Sequence, residues 1–265
     1  MATAHLVVGA KGGIGKTFVS WLITQKLNEL FAASKKGNGK KVQCIDLDPA
    51  SHSLSGFKSL GAIEIPVLNQ EAQVNKRQFD AFIEKVFKSP DPDATFVIDT
   101  GSNVYPTLMS YIVSMEICEL FRQNNHKLLI HSIIAGGAHL KQTIGAFAQM
   151  CSQLPDYASV ALWENPMTGK VAVDGLELKK EKLCPKPGMI KKHFKLKSPA
   201  TDAQPLFNLM LENGWTFSEC IEKCNGNIDG LVFLDSTRLM RAKAEYFKSA
   251  EGIANDWDET PLAKE

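Results

Sequence analysis

Two hydrophobic rhythms alternate along the chain. Short apolar runs at Leu6-Val7-Val8, Val42-Gln43-Cys44-Ile45, Thr95-Phe96-Val97-Ile98, Lys127 to Ile134 and Val160 to Trp163 read as buried strands. Between them, apolar residues recur every three or four positions. Val19, Leu22, Ile23, Leu27, Leu30 and Phe31 share one helical face, and Phe79, Phe82, Ile83, Val86 and Phe87 share another. Further helices are predicted from about Pro106 to Phe121, from Leu140 to Leu154 and from Phe233 to Phe247, and Thr216 with Glu219 forms a capping box ahead of a short helix. A polar turn from Lys35 to Lys41 ends the first helix. After Pro166 the pattern weakens.

Strands alternating with helices at this spacing imply βαβ units. The expected fold is a three-layer α/β structure around a mostly parallel, doubly wound sheet with right-handed crossovers. Residues 1–250 are expected to form one domain. Residues 251–265, with Asp256, Asp258 and Glu259, read as an acidic, frayed tail. Ligands of such a sheet bind at the carboxyl ends of its strands. Lys11–Thr17, Asp46–Pro49, Asp99–Gly101 and Asn165 all directly follow a predicted strand.

The first of these segments is a phosphate loop: Ala10-Lys11-Gly12-Gly13-Ile14-Gly15-Lys16-Thr17, followed by Phe18 at the helix start. Such a loop wraps backbone N–H groups around phosphate oxygens and aims a helix N-terminus at them. It makes the fold that of a P-loop NTPase. Gly12, Gly13 and Gly15 let the backbone approach, Lys16 reaches the β- and γ-phosphates, and the Thr17 hydroxyl ligates Mg²⁺. Ala10 replaces the first glycine of G-x-x-x-x-G-K-[ST]. Asp99 is placed to hold the Mg²⁺ shell. Asp46 and Asp48 flank Leu47 in an extended segment, so both carboxylates can face the phosphates, and one can orient the attacking water, Asp48 above all. Asn165 either reads an adenine edge or forms an Asn-Pro turn.

Composition narrows the rest. A formal net charge of +1 gives no whole-molecule attraction to nucleic acid or anionic membrane, so any such binding needs a local patch. The lysines over 167–200 read as a solvated face, with Phe194 and its neighbours leaving a nucleic-acid or acidic-partner surface as the alternative. The six cysteines read as reduced thiols, and the scattered histidines, His52 included, show no metal spacing. No apolar stretch approaches a membrane span, and Lys11 and Lys16 interrupt any signal-peptide core. The expected location is the cytoplasm.

Lys11-Gly12-Gly13-Ile14-Gly15-Lys16-Thr17 resembles the deviant Walker A motif of the ParA/MinD ATPases. Asp46-Leu47-Asp48-Pro49 resembles their switch I, and Ile98-Asp99-Thr100-Gly101 their Walker B and switch II. Within that group the chain is similar to the TraL family of plasmid conjugal-transfer proteins. The likeness lies in Cys44–Pro49, Gly56–Leu60, Asn75–Glu84, Gly136–Pro155 and Trp163–Pro166, and it runs to about residue 245. The resemblance implies a nucleotide-sandwich homodimer cycling between ATP and ADP. Lys11 would reach the partner's phosphates, Asp48 would support hydrolysis and Asn165 would read adenine. It implies a slow switch in conjugation. A partition ATPase, a non-hydrolysing adaptor that recruits a transfer protein, or a small-molecule kinase are the competing readings. The segment after Asp99 lacks the proline of many relatives. The tail does not resemble MinD's basic membrane helix, so no membrane anchor is expected.

Overall fold

A computed structural model describes residues 1–34, 39–50, 53–173, 175–198 and 200–254. Part of the predicted Lys35–Lys41 turn, His52, Asp174 in the lysine-rich stretch and the acidic tail from residue 255 lie outside the described residues. The strands are Thr3–Val8 (β1), Gln43–Asp46 (β2), Ile63–Glu64 (β3), Thr95–Asp99 (β4), Lys127–Ala135 (β5), Ser159–Asn165 (β6), Ala172–Val173 (β7), Leu176–Glu177 (β8) and Ile190–Lys195 (β9). Seven of them form one sheet in the order β3-β2-β4-β1-β5-β6-β9, with every neighbouring pair parallel. β7 and β8 make a small antiparallel hairpin. The helices are Lys16–Ala33 (α1), Phe79–Phe87 (α2), Tyr105–Ser114 (α3), Ile117–Gln123 (α4), Leu140–Gln153 (α5), Lys180–Leu183 (α6), Gln204–Asn213 (α7), Phe217–Asn225 (α8) and Phe233–Ser249 (α9).

Alternation along each strand builds two cores, one on either face of the sheet. From β1, Leu6 and Val8 join the core made with Phe79, Phe82, Leu108, Phe121 and Phe147 of α2 to α5. Val7 points the other way, into a core with Trp21 of α1, Phe207 of α7, Phe217 of α8 and Tyr246 of α9. The three-layer, doubly wound expectation therefore holds, and it puts β1 and the loop after it at the middle of the sheet.

Three differences from the sequence reading have physical causes. The helix expected from Pro106 to Phe121 is two helices, because Glu116 takes a left-handed φ of 50°. A straight continuation of the Leu108–Ile112 face would bury Glu116 and Glu119. The break instead turns Ile117 and Phe121 inward. Past Pro166 the fold adds a further parallel strand, β9, and helix α7. Phe194 of β9 is buried and stacks on Trp163 with ring centroids 4.3 Å apart, so its ring is core and does not offer a base-stacking platform. The Thr216–Glu219 capping box forms as expected at the start of α8.

Candidate functional site

The loop between β1 and α1 sits at the carboxyl end of the central strand. Gly13 and Gly15 adopt φ of 73° and 92°, a region that side chains disfavour. The first hydrogen bond of α1 runs from the Val19 amide to Gly15 O at 3.0 Å, which leaves the amides of Lys16, Thr17 and Phe18 without an intrahelical acceptor. A pocket of about 550 Å³ opens there, lined by Gly12, Gly13, Gly15, Lys16, Thr17, Phe18, Asp48, Ala50, Ser53, Ser102 and Asn103. Ala10 and Lys11 are half-buried beside it, and Ile14 is buried beneath it. The Phe18 ring packs against Trp21, Phe207 and Tyr246 in the core, so this residue offers the pocket chiefly its backbone.

Lys16 is buried, and its ammonium donates to Lys11 O at 3.0 Å. Burial pushes its pKa down, and the nearby carboxylates of Asp99 and Asp48 oppose that shift. Asp99 ends β4 with no exposure. It accepts hydrogen bonds from Thr17 Oγ1 at 2.7 Å and Ser20 Oγ at 2.8 Å. Burial pushes its pKa up to about 7 despite those two bonds. A buried carboxylate with a hydroxyl at 2.7 Å, both beside a loop that presents N–H groups, is a donor set of the type that Mg²⁺ takes together with phosphate oxygens. Thr17 and Asp99 therefore fit the metal that the loop implies. Among the described residues no cluster of three or more His, Cys, Asp or Glu could hold a metal by itself.

Asp46 and Asp48, expected to face the phosphates together, do different things. Asp48 is half-buried and lines the pocket. A Cβ on Gly101 would stand 2.7 Å from its Oδ1, so glycine at 101 is what lets the segment after β4 close on it. Asp46 is turned inward: its Oδ1 accepts the Asp48 amide at 2.9 Å, and its Oδ2 accepts the amides of Leu54 and Ser55 at 3.0 and 2.9 Å. Both oxygens expected to face water are therefore engaged by backbone amides, and Asp46 holds Asp48, Leu54 and Ser55 in place.

Asn165 is buried, its Nδ2 donates to Ile14 O at 2.9 Å, and its Oδ1 accepts the Met167 amide at 3.1 Å. The Asn-Pro turn weighed for it is formed, and the side chain faces the phosphate loop. The sequence reading missed Ser20, Ser53, Ser102 and Asn103. Ser20 lies three residues after Thr17, on the same helical face, and that spacing was the available signal. Thr100 Oγ1 donates to Val7 O at 2.8 Å and ties the end of β4 to β1.

No model of a known protein family matches the chain. Two Escherichia coli proteins named TraL are similar to it. One is 28% identical over 258 residues, covering 96% of this chain and 99% of that protein. The other is 31% identical over 175 residues, covering 66% and 68%. Among solved structures, a chain of the MinC:MinD cell division protein complex of Aquifex aeolicus aligns with a TM-score of 0.49 at 14% identity, covering 99% of this chain and 98% of that one. A plasmid partition protein of Borrelia burgdorferi aligns at 0.43 and 12%, covering 83% and 100%. No described helix is long and apolar enough to cross a membrane.

Proposed function

The chain belongs to the TraL protein family, and from that premise we propose that it is a Mg²⁺-dependent, ATP-binding and slowly ATP-hydrolysing switch that dimerises around nucleotide and acts in plasmid conjugal DNA transfer in the cytoplasm. The observation that carries this reading is the Thr17–Asp99 hydrogen bond of 2.7 Å beside the buried Lys16, at the start of a helix whose first amides are unspent. That set supports a triphosphate site.

In this reading Lys16 binds the β- and γ-phosphates and gives up Lys11 O to do so. The amides of Lys16, Thr17 and Phe18 hold phosphate oxygens, with Gly12, Gly13 and Gly15 leaving room for them. Thr17 and Asp99 would hold Mg²⁺, which supplies neutralising charge to the phosphate oxygens. Asp48 orients the attacking water, and Asp46 fixes Asp48 through its backbone amide. Lys11 extends to the second subunit's phosphates. The conjugation role follows the resemblance to the TraL family.

The test is ATP binding and phosphate release by the purified protein, with light scattering on a sizing column. Lys16→Ala should lose both binding and turnover. Lys11→Ala should still bind ATP but remain monomeric with it. A wild-type protein that binds no ATP would sink the reading. Tight binding without phosphate release over hours would make it an adaptor, and ATP-dependent binding of nonspecific duplex would move it to partition.

A further inference from the structure

We propose that Asn165 is a positioning residue for the phosphate loop, an inference that rests on the loop being a triphosphate site. A trans peptide points its C=O and its N–H in opposite directions. Asn165 Nδ2 holds Ile14 O at 2.9 Å, so the Gly15 N–H of the same peptide is aimed away from Asn165, towards the side on which Gly15 and Lys16 line the pocket. The approach is close. A Cβ on Gly15 would fall 2.6 Å from Nδ2, so the loop rests directly on this amide.

Asn165 is itself held on every side. Its exposure is 3%, its Oδ1 takes the Met167 amide at 3.1 Å, and its backbone carbonyl takes the Gly136 amide at 3.0 Å. Thr168 Oγ1 returns a bond to Gly136 O at 3.0 Å. The two backbones abut so tightly that a Cβ on Gly136 would land 1.8 Å from Gly169 O. Turning the amide over would face NH₂ against the Met167 N–H and oxygen against Ile14 O, two repulsive pairs in place of two bonds. The clasp between the ends of β5 and β6 therefore fixes the phosphate loop through one side chain.

The experiment compares Asn165→Ala and Asn165→Asp with wild type in binding Mg-ATP, Mg-GTP and Mg-tripolyphosphate. Asn165→Asp keeps the acceptor for Met167 but sets an oxygen against Ile14 O. Loss of one hydrogen bond should weaken all three probes alike, by about fivefold for Ala and more for Asp. The ATP-to-GTP ratio should stay unchanged. A loss confined to ATP, with tripolyphosphate unaffected, would overturn the proposal. Amide hydrogen exchange without any probe is the independent measurement. Protection at Val19, whose amide bonds Gly15 O at 3.0 Å, should fall in both variants while the middle of α1 keeps its own, and unchanged protection at Val19 would equally overturn it. A wild type that bound none of the three probes would remove the triphosphate reading, and the exchange result would still decide whether Asn165 sets the loop.

Discussion

Acidification should cost this fold stability through a buried histidine pair. His5 of β1 and His131 of β5 are 2% and 0% exposed, with His5 Nδ1 and His131 Nε2 3.0 Å apart. Trp163 Nε1 donates to His131 Nδ1 at 3.0 Å. An indole N–H can only donate, so His131 Nδ1 accepts, and its Nε2 carries the proton given to His5 Nδ1. A second proton on His131 would face the indole N–H, and one on His5 Nδ1 would face the His131 N–H. Burial accordingly pushes His5 from 6.5 down to about 3, and His131 is also lowered, by burial and then by His5.

Because the folded pKa lies below the unfolded one, the stability is complete above pH 6.5 and is lost as pH falls toward 3. At pH 5 the unfolded chain binds a proton that folded His5 refuses, which costs about 2 kcal/mol from His5 alone at 1.36 kcal/mol per pH interval. His131 adds to the loss in the same direction. Urea unfolding followed by tryptophan fluorescence from pH 8 to pH 5 measures it, with His5→Asn as the reference. The wild-type profile should fall more steeply than the variant's, by about that 2 kcal/mol over the range. Parallel profiles would refute the argument and assign the acid loss to other groups.

Three further outcomes follow from named contacts. Asp46→Asn should set an NH₂ against backbone N–H groups, lowering stability by about 2–4 kcal/mol and slowing phosphate release more than it weakens ATP binding, as read by unfolding and by turnover. Gly136→Ala places a methyl against the Gly169 carbonyl and should cost about 1–3 kcal/mol in urea unfolding, since backbone and not a flexible side chain must yield. Thr216→Ala removes the side-chain acceptor of the Glu219 amide and should cost about 1 kcal/mol, visible as a drop of a few degrees in thermal midpoint.

The parts of the fold legible in the sequence are those buried without interruption along their length. β1, β4, β5 and β6 are buried on both faces, so they stand out as continuous apolar runs. β9 was hidden because it is an edge strand carrying Lys191, Lys192 and Lys195, and only Phe194 is fully buried in it. α7 was hidden because Pro205 near its start and three buried residues, Leu206, Phe207 and Met210, make a short signal. In the site, loop chemistry was legible as a motif. The bonds of Asn165 and Asp46 were not, because they join residues 151 and up to 9 positions apart through buried backbone groups that carry no sequence signal.

The contrast between Asp46 and Asp99 shows why residue type and strand position could not assign their roles. The two stand opposite each other in the β2–β4 register, at the same depth and the same end of the sheet. Asp46 meets backbone N–H groups, which are fixed donors and have no lone pair to offer. Its oxygens are spent on the chain's own shape. Asp99 meets two hydroxyls, each able to rotate and to accept as well as donate. Thr17 could turn its lone pairs to a cation, and a cation held there would give Asp99 a charge partner that lifts the penalty of its burial. Two aspartates of equal promise in sequence thus divide into one that holds the segment leading to Asp48 and one with coordination left to give. The division is set by what each carboxylate meets, amide or hydroxyl, within the same 3 Å.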